Sequence, residues 1–346
     1  MKNKLIFKAI LSVFCVSLLF TSCDDWTKTE SIEIIPPTID IQNPELYAKY
    51  LENLRDYKKS NQKHVYVWFD NSTKPAVSRA QNMESIPDSV DIIALMYPDN
   101  LSDTELNTMA KLRETKAMKF IYSVDFAAYQ AAYAVLLEQE TEENPVTQRF
   151  ENFFIGLLMY DLTLVNKYNY DGICVAYEGK SMTHMTQAER DTHTFCEELF
   201  LGTIQKWYQN NQDKHFILVG SPQYILDKSI LADFHTILLD GTAVSAENEF
   251  TFILTSTIAE GGGAVPQDKL GMFINAPRVN DPEQKVGYMT NGELSLTSLA
   301  NWAPAIHNGV EISSVGVYNI AWDYYDMSKP YRYTRNLISS INPTVQ

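Results

Sequence analysis

The chain has 346 residues, of which 45% are hydrophobic and 12% aromatic, and its formal net charge is −15. This length and apolar content support a large core, in one elaborated barrel or two smaller domains, and they exclude a disordered chain. The acidic balance argues against nucleic acid and against an anionic membrane surface, because both require clustered Lys and Arg, whereas a neutral ligand is compatible with it.

Residues 1–22 predict a secretory signal peptide. Three lysines among the first eight residues precede an apolar stretch from Ala9 to Phe20, and two small residues then precede Cys23. The segment Leu19–Cys23 resembles a bacterial lipobox, in which cleavage makes the lipidated Cys the new N-terminus, with Phe20 in place of the usual Leu. The alternative is a signal peptide whose Cys is incidental.

An acidic pair, Asp24-Asp25, follows Cys23 directly. It resembles the surface-export signal of lipoproteins in glycan-degrading gut bacteria, which predicts a protein on the outer face of the outer membrane, held there by acyl chains alone. Residues 23–42 are polar and contain Pro36-Pro37, which is typical of a stiff tether. The folded domain is therefore predicted to span residues 43–346.

Apart from Cys15 and Cys23, the cysteines are Cys174 and Cys196. They are predicted to be free and buried, because the chain has no dense disulfide framework. No spacing of Cys and His suits a metal site, and the chain carries no phosphate-binding motif. The sequence therefore predicts neither a metal nor a cofactor.

Regular elements are predicted along most of the domain. A helix begins at Asn43-Pro44, with Asn as its cap, and two later helices, Ser102–Lys116 and Thr186–Asn210, open with capping boxes. The segment Phe126–Asn144 predicts an extra helix. Eight strand-like apolar runs alternate with helical patterns: His64–Asp70, Val90–Tyr97, Met118–Asp125, Tyr170–Glu178, His215–Ser221, Thr236–Thr242, Leu270–Pro277 and Ser314–Trp322. Eight such units predict an α/β fold, a (β/α)8 TIM barrel preceded by the lipoprotein signal and tether.

The functional site of such a barrel lies at the carboxyl ends of its strands. Those ends carry polar and aromatic residues, namely Asp70, Tyr97, Asp125, Glu178, Gln223, Asp240, Asn275 and Trp322. Sugars need directed hydrogen bonds for their hydroxyls and aromatic rings for their C–H faces, so these residues predict a glycan site. Each of them taken alone also fits a helix cap or a solvated loop position.

The fourth run carries the most informative motif of the chain. Side chains alternate faces along a strand, so Gly172, Cys174, Ala176 and Glu178 share the face that points into the barrel, with Glu178 at its mouth. The run resembles the motif Asp-x-x-Asp-x-Asp-x-Glu of glycoside hydrolase family 18, the chitinases and endo-β-N-acetylglucosaminidases. Asp171 and Glu178 fit this motif, but Cys174 and Ala176 replace its two middle acids. An ordinary buried parallel strand also has this pattern.

The resemblance implies a role for Glu178 and a defect at Ala176. In the family, the final Glu protonates the leaving oxygen, while the Asp two residues earlier orients the substrate's acetamido group as nucleophile, a departure from the scheme with two catalytic carboxylates. A methyl group neither accepts the acetamido N–H nor stabilises the developing charge. Losing one such contact costs on the order of 100- to 1000-fold in rate. Glu178 is therefore the candidate acid of a pseudoenzyme.

Other strands differ from the family in a similar way. Strand six has Leu239-Asp240 where the family has Tyr-Asp, so Asp240 matches and the Tyr that contacts the acetamido carbonyl is lost. On strand three, Ser123 of a Ser-x-Gly-Gly pattern survives without the glycines. On strand eight the family's Trp falls at Ile320, and Trp322, two residues later, is the substitute that this strand offers.

Three functions are compatible with this sequence. The favoured one is a catalytically inactive surface lipoprotein that captures N-glycans, or other oligosaccharides of GlcNAc and mannose, for an outer-membrane importer. The alternative is an active endo-β-N-acetylglucosaminidase-like hydrolase in which Glu178 works with a different partner, Asp125 or Asp240. The third is a lipoprotein that binds other proteins and has no glycan site, which the sequence does not separate from the first.

Overall fold

The computed structural model describes residues 39–278, 283, 285–326 and 328–343. The predicted signal peptide and Cys23 lie outside these residues, as does the predicted tether up to residue 38. The described residues fall into two compact units, one ending at Lys49 and one beginning at Tyr50. Helix α1 (Ile39–Gln42) lies in the first unit, where helix α2 (Pro44–Lys59) also begins. Oδ1 of Asn43 accepts a hydrogen bond from the backbone nitrogen of Leu46 at 3.1 Å, which confirms the predicted cap.

Eight parallel strands form a closed barrel in which each strand pairs with its sequence neighbours and β8 pairs with β1. They are β1 (His64–Phe69), β2 (Ile92–Leu95), β3 (Lys119–Asp125), β4 (Gly172–Tyr177), β5 (His215–Gly220), β6 (Thr236–Asp240), β7 (Leu270–Asn275) and β8 (Ser314–Tyr318). Each strand lies within one of the predicted runs. The predicted TIM barrel is therefore confirmed.

The helices that follow the strands pack around this barrel. They are α3 (Asp103–Lys116), α4 (Phe126–Glu138), α5 (Phe150–Lys167), α6 (Gln187–Gln209), α7 (Glu247–Gly261), α8 (Ser295–Trp302) and α9 (Arg332–Ile341). Both predicted capping boxes, at Ser102 and Thr186, are formed. Helix α4 ends at Glu138, before the predicted Asn144, because an acidic stretch at a helix carboxyl end opposes the helix dipole. None of the described helices is long and apolar enough to cross a membrane.

The core has two layers because successive strand residues point to opposite faces. Residues such as Trp68, Cys174 and Phe273 fill the barrel, whereas Val67, Val175 and their counterparts on other strands pack against the helices. Cys174 and Cys196 are free and buried, as predicted.

The first two residues of the strand-four motif have structural roles at the amino end of β4. Oδ2 of Asp171 accepts hydrogen bonds from the backbone nitrogen of Phe120 at 2.7 Å and from Nε of Arg113 at 2.8 Å. A Cβ atom at Gly172 would lie 1.9 Å from the carbonyl oxygen of His215, so only glycine allows β4 and β5 to approach this closely. The Asp-Gly pair therefore contributes to the closure of the barrel, at the end opposite to the mouth.

A polar cluster lies inside the barrel near this same end. The hydroxyl of Tyr66 is 2.8 Å from Nε2 of His215 and 2.8 Å from Oγ1 of Thr236. The ring of His215 also packs against that of His235, with centroids 4.8 Å apart. Burial lowers the pKa of His215 to about 3, so the imidazole is neutral at physiological pH.

Candidate functional site

A cavity of about 580 Å³ opens at the carboxyl ends of the strands. All eight strands contribute to its wall, together with the first five residues of α4 and single side chains of α5 and α6. Its polar and aromatic lining residues include Trp68, Asp99, Tyr122, Ser123, Asp125, Tyr129, Asp161, Glu178, Lys180, His193, Asp240, Phe273 and Tyr318. Among the described residues, no group of three or more His, Cys, Asp or Glu side chains is arranged to hold a metal ion.

Strand β4 presents its altered motif to this cavity. Cys174 and Ala176 both line it, and Glu178 follows one residue after the strand ends. Burial raises the pKa of the Cys174 thiol, so this side chain is a neutral group of the barrel interior. Ala176 lies beside Asp125 in the register of β3 and β4. The cavity wall therefore has a methyl group two residues before Glu178.

Glu178 and Asp240 line the same cavity. The Glu178 side chain is open to solvent at the mouth. Desolvation by partial burial, followed by the charges of Asp240 and Asp125, raises the pKa of Glu178 against the opposing effect of Lys180. A raised pKa suits a group that donates a proton or a hydrogen bond.

Asp125 lies near Glu178, and its carboxylate caps the amino end of helix α4. Its Oδ1 accepts hydrogen bonds from the backbone nitrogens of Ala127 at 2.9 Å and Ala128 at 3.3 Å, and it thereby caps α4. Burial raises the pKa of Asp125, and the two backbone donors oppose this rise. The cap holds the carboxylate at the rim of the cavity.

A second group of acids and phenols lies on another part of the wall. Tyr122 donates a hydrogen bond to Oδ1 of Asp99, and Tyr129 donates one to Oδ2 of Asp161 at 2.5 Å. Burial, with a contribution from Asp99, raises the pKa of Asp161. We did not predict Asp99, Tyr122 or Asp161 from the sequence, although Asp161 is a single acid in an apolar stretch of α5, which is a usable signal.

Aromatic rings line the interior side of the cavity. Phe273 packs edge-on against Trp68, with centroids 4.7 Å apart, and against Tyr318, with centroids 5.9 Å apart. These rings were also absent from the predicted site. Alternation along β1 was the available signal for Trp68, because Tyr66 and Trp68 occupy its inward positions.

The predicted site residues divide into two groups. Asp125, Glu178 and Asp240 line the cavity together. Outside its lining, Oδ1 of Asp70 accepts from the backbone nitrogen of Ser72 at 2.8 Å, and Nδ2 of Asn275 donates to the carbonyl of Thr242 at 3.3 Å. The second group also contains Tyr97, Gln223 and Trp322. Tyr97 is exposed, and the guanidinium carbon of Arg278 lies 5.7 Å from the centroid of the Trp322 ring. For these residues, glycan binding stays a prediction.

The structure changes how two family comparisons apply. Leu239 packs in the layer between barrel and helices, and the inward positions of β6 are Leu238 and Asp240. Leu239 therefore does not face the cavity, and Asp240 occupies the inward position. Ile320, where the family's last-strand Trp falls, is fully buried in the outer layer.

Comparisons with known proteins agree with this architecture. The profile of the family described as glycoside hydrolase family 18, BT1044-like, matches residues 27–340. No curated protein matches the sequence significantly. Among solved structures, BT1044, as a selenomethionine form with a Glu-to-Gln substitution, aligns with a TM-score of 0.59 and 15% identity, covering 89% of this chain and 96% of that one.

A fungal enzyme gives a similar alignment. The endo-β-N-acetylglucosaminidase of Cordyceps militaris aligns with a TM-score of 0.58 and 15% identity over 85% of this chain and 96% of its own. A mutant of the same enzyme, in complex with fucosyl-N-acetylglucosamine-Asn, aligns with a TM-score of 0.56 and 15% identity over 85% of this chain and 95% of its own. At this identity the structural likeness shows a common fold.

Proposed function

Because the chain belongs to glycoside hydrolase family 18, BT1044-like, we propose that it binds an oligosaccharide in the cavity at the barrel mouth without cleaving it. The observation that carries this proposal is the methyl group of Ala176 on the cavity wall, two residues before Glu178. In the substrate-assisted mechanism of the family, a carboxylate at that position orients and stabilises the reacting acetamido group. With Ala176 in that position, Glu178 is able to supply a proton, but no carboxylate there stabilises the acetamido group.

Neither Asp125 nor Cys174 replaces the carboxylate that is missing at Ala176. Asp125, beside Ala176 in the strand register, has one oxygen engaged by the first turn of α4. Cys174, at the other altered position, is a buried neutral thiol. Electrostatic stabilisation of a transition state requires a group already aimed at the developing charge, and loss of one such group costs about 100- to 1000-fold.

The lining of the cavity supports an oligosaccharide ligand. Tyr318, which is half-buried, offers its ring to the C–H surface of a sugar, with the buried rings of Trp68 and Phe273 beside it, and the surrounding carboxylates accept hydrogen bonds from hydroxyls. The fungal relative solved with fucosyl-N-acetylglucosamine-Asn directs the proposal to N-glycans, or to other oligosaccharides of GlcNAc and mannose. Since the ligand is neutral, its affinity is expected to be micromolar or weaker and nearly independent of moderate salt.

The amino-terminal sequence supports a location for this binding. A signal peptide, a lipobox ending at Cys23 and the acidic pair Asp24-Asp25 fit a lipoprotein on the outer face of the outer membrane. A glycan captured there would pass to an outer-membrane importer, which is the proposed partner.

A paired assay tests the proposal. Calorimetry with a released N-glycan measures binding, and product analysis on an N-glycoprotein measures cleavage by the same preparation. We expect a binding isotherm and no released glycan for the wild type. Binding is expected to be retained in Glu178→Gln, because an amide still hydrogen-bonds a hydroxyl. The absence of any isotherm would contradict glycan binding.

A second candidate function is favoured by the presence of Glu178 and Asp240 in the same cavity, where the charge of Asp240 acts on Glu178. Partial burial, followed by the nearby charge of Asp240, raises the pKa of Glu178, as a general acid requires, and Asp240 is then a carboxylate near the reacting group. An active hydrolase of this kind would release glycan in the product assay. Release that is abolished by Glu178→Gln would establish the hydrolase in place of the binding protein.

A further inference from the structure

A buried carboxylate lies next to the cavity. The side chain of Glu197 on α6 is enclosed, with 2% of the residue exposed, and donors approach both of its oxygens. The hydroxyl of Tyr177 donates to Oε2 at 2.7 Å, and the backbone nitrogen of Leu226 donates to Oε1 at 2.6 Å. The carboxylate therefore acts as an acceptor that ties α6 to β4 and to the segment that follows β5.

His193 connects this carboxylate with the cavity. The two residues are four apart on α6 and so share one face of the helix, with Nε2 of His193 3.7 Å from Oε2 of Glu197. His193 lines the cavity, whereas Glu197 lies behind it. Among the described residues, His193 is the one basic side chain at ion-pair distance from Glu197.

The two ring nitrogens of His193 have different surroundings. Nε2 is enclosed, and it makes no hydrogen bond within the part of the chain that the structure describes. A hydrogen on Nε2 is attracted to the carboxylate of Glu197, whereas a lone pair there would be repelled. In a neutral imidazole the second nitrogen, Nδ1, then has the lone pair. Since Nε2 is enclosed, the 14% of the side chain that is exposed lies on its other atoms.

We propose that Nδ1 of His193 accepts a hydrogen bond from a sugar hydroxyl in the cavity, and that Glu197 is the positioning residue that keeps the hydrogen on Nε2. Each sugar hydroxyl supplies one donor, which is what an acceptor of this kind requires. The inference rests on the proposed function, since it presupposes an oligosaccharide in the cavity. It adds to the site an uncharged acceptor that lies outside the strand-four motif.

Two substitutions at His193 separate the roles of its two nitrogens. A Gln side chain extends its amide to the region of Nε2, whereas an Asn side chain ends in the region of Nδ1. His193→Gln therefore retains a donor for Glu197 and loses the acceptor for the ligand. Its affinity for a released N-glycan should fall about 3- to 10-fold, as loss of one hydrogen bond between neutral groups does. Its midpoint of urea unfolding should match that of the wild type.

His193→Asn should behave in the opposite way. It places an amide oxygen near the ligand, so calorimetry should give an affinity within about twofold of that of the wild type. Glu197 then lacks its basic neighbour, and the midpoint of urea unfolding should fall, because a buried carboxylate without such a partner is costly. The exposed His184 provides the control, and His184→Gln should change neither the affinity nor the midpoint.

NMR of the histidine ring nitrogens tests the role of Glu197. The signals of His193 are those missing from the spectrum of His193→Gln. At slightly alkaline pH the wild type should show a hydrogen on Nε2 of His193 and none on Nδ1. In Glu197→Gln the fraction with a hydrogen on Nδ1 should rise and glycan affinity should fall with it. If Glu197→Gln does not fold, the wild-type spectrum and the two His193 variants still decide between the outcomes.

Three results would overturn the inference while glycan binding is retained. They are an unchanged affinity in His193→Gln, an affinity that falls more in His193→Asn than in His193→Gln, and a hydrogen on Nδ1 of His193 in the wild type. Failure of the wild type to bind the released N-glycan would instead contradict the proposed function itself.

Discussion

The hydroxyl of Tyr66 lies 2.8 Å from Nε2 of His215 in the barrel interior, at the end opposite to the mouth. Burial lowers the pKa of His215 to about 3, whereas an unperturbed imidazole has a pKa of 6.5. The unfolded chain therefore binds a proton at this residue between these two values, while the folded chain does not. Stability from His215 is complete above about pH 6.5 and is lost progressively as the pH falls.

We expect acidification to destabilise the wild type partly through this residue. Between pH 7.5 and pH 5.0 the contribution of His215 to the free energy of unfolding should fall by about 2 kcal/mol, since one pH unit of unequal protonation corresponds to about 1.4 kcal/mol. The raised pKa values of buried acids such as Asp91 and Asp323 act with the opposite sign, so the comparison must be made between variants.

Urea unfolding of His215→Gln at both pH values makes that comparison. Between pH 7.5 and pH 5.0, the free energy of unfolding of this variant should fall by about 2 kcal/mol less than that of the wild type. The exposed His184 provides the control, and His184→Gln should behave as the wild type does. Identical pH dependence in His215→Gln and wild type would show that this imidazole does not control the acid response.

Asp171 is expected to matter for folding and not for binding. Removing its carboxylate in Asp171→Ala leaves the Phe120 backbone nitrogen and Arg113 without their shared acceptor, which should cost about 1–3 kcal/mol in the free energy of unfolding. Denaturant unfolding measures this loss. Asp213→Ala, at an exposed acid, is the control and should change stability by about 0.5 kcal/mol or less. Loss of glycan affinity in Asp171→Ala, with stability intact, would contradict a structural role.

Tyr318 is the aromatic residue on β8 that lines the cavity, and its removal should weaken binding. Tyr318→Ala is expected to reduce affinity for a bound oligosaccharide about 10- to 100-fold, as loss of a partly buried aromatic anchor does. Trp322→Ala is the matched control, because it removes an aromatic ring nearby that lies outside the lining. A larger loss in Trp322→Ala would place the ligand over the segment that follows β8, as the sequence pattern suggested.

The location of the protein depends on Cys23. If that residue is lipidated, Cys23→Ala should move the protein from the membrane fraction to the soluble fraction, as immunoblotting of fractionated cells would record. External protease should degrade the wild type on intact cells if Asp24-Asp25 direct export. A Cys23→Ala protein that stays with the membrane would require another means of attachment.

The barrel could be predicted from sequence because each strand is an apolar run bounded by polar residues, and because capping boxes such as that of Ser102 mark helix starts. The site was predicted only in part. Asp125, Glu178 and Asp240 follow from their position at strand ends. Asp161 and His193 reach the cavity from helices, whose orientation depends on packing that strand patterns do not encode.

The close approach of β4 and β5 at Gly172 has a consequence for how such chains are recognised. Asp171 and Gly172 serve the closure of the barrel, whereas Ala176 and Glu178 line the cavity. A chain can therefore change the half of the motif that faces the cavity and still keep the half that its own assembly requires. Motif searches weighted toward Asp-Gly would collect barrels of this shape whether or not they are enzymes, and the residue two positions before the Glu is the more useful discriminator between hydrolases and binding proteins.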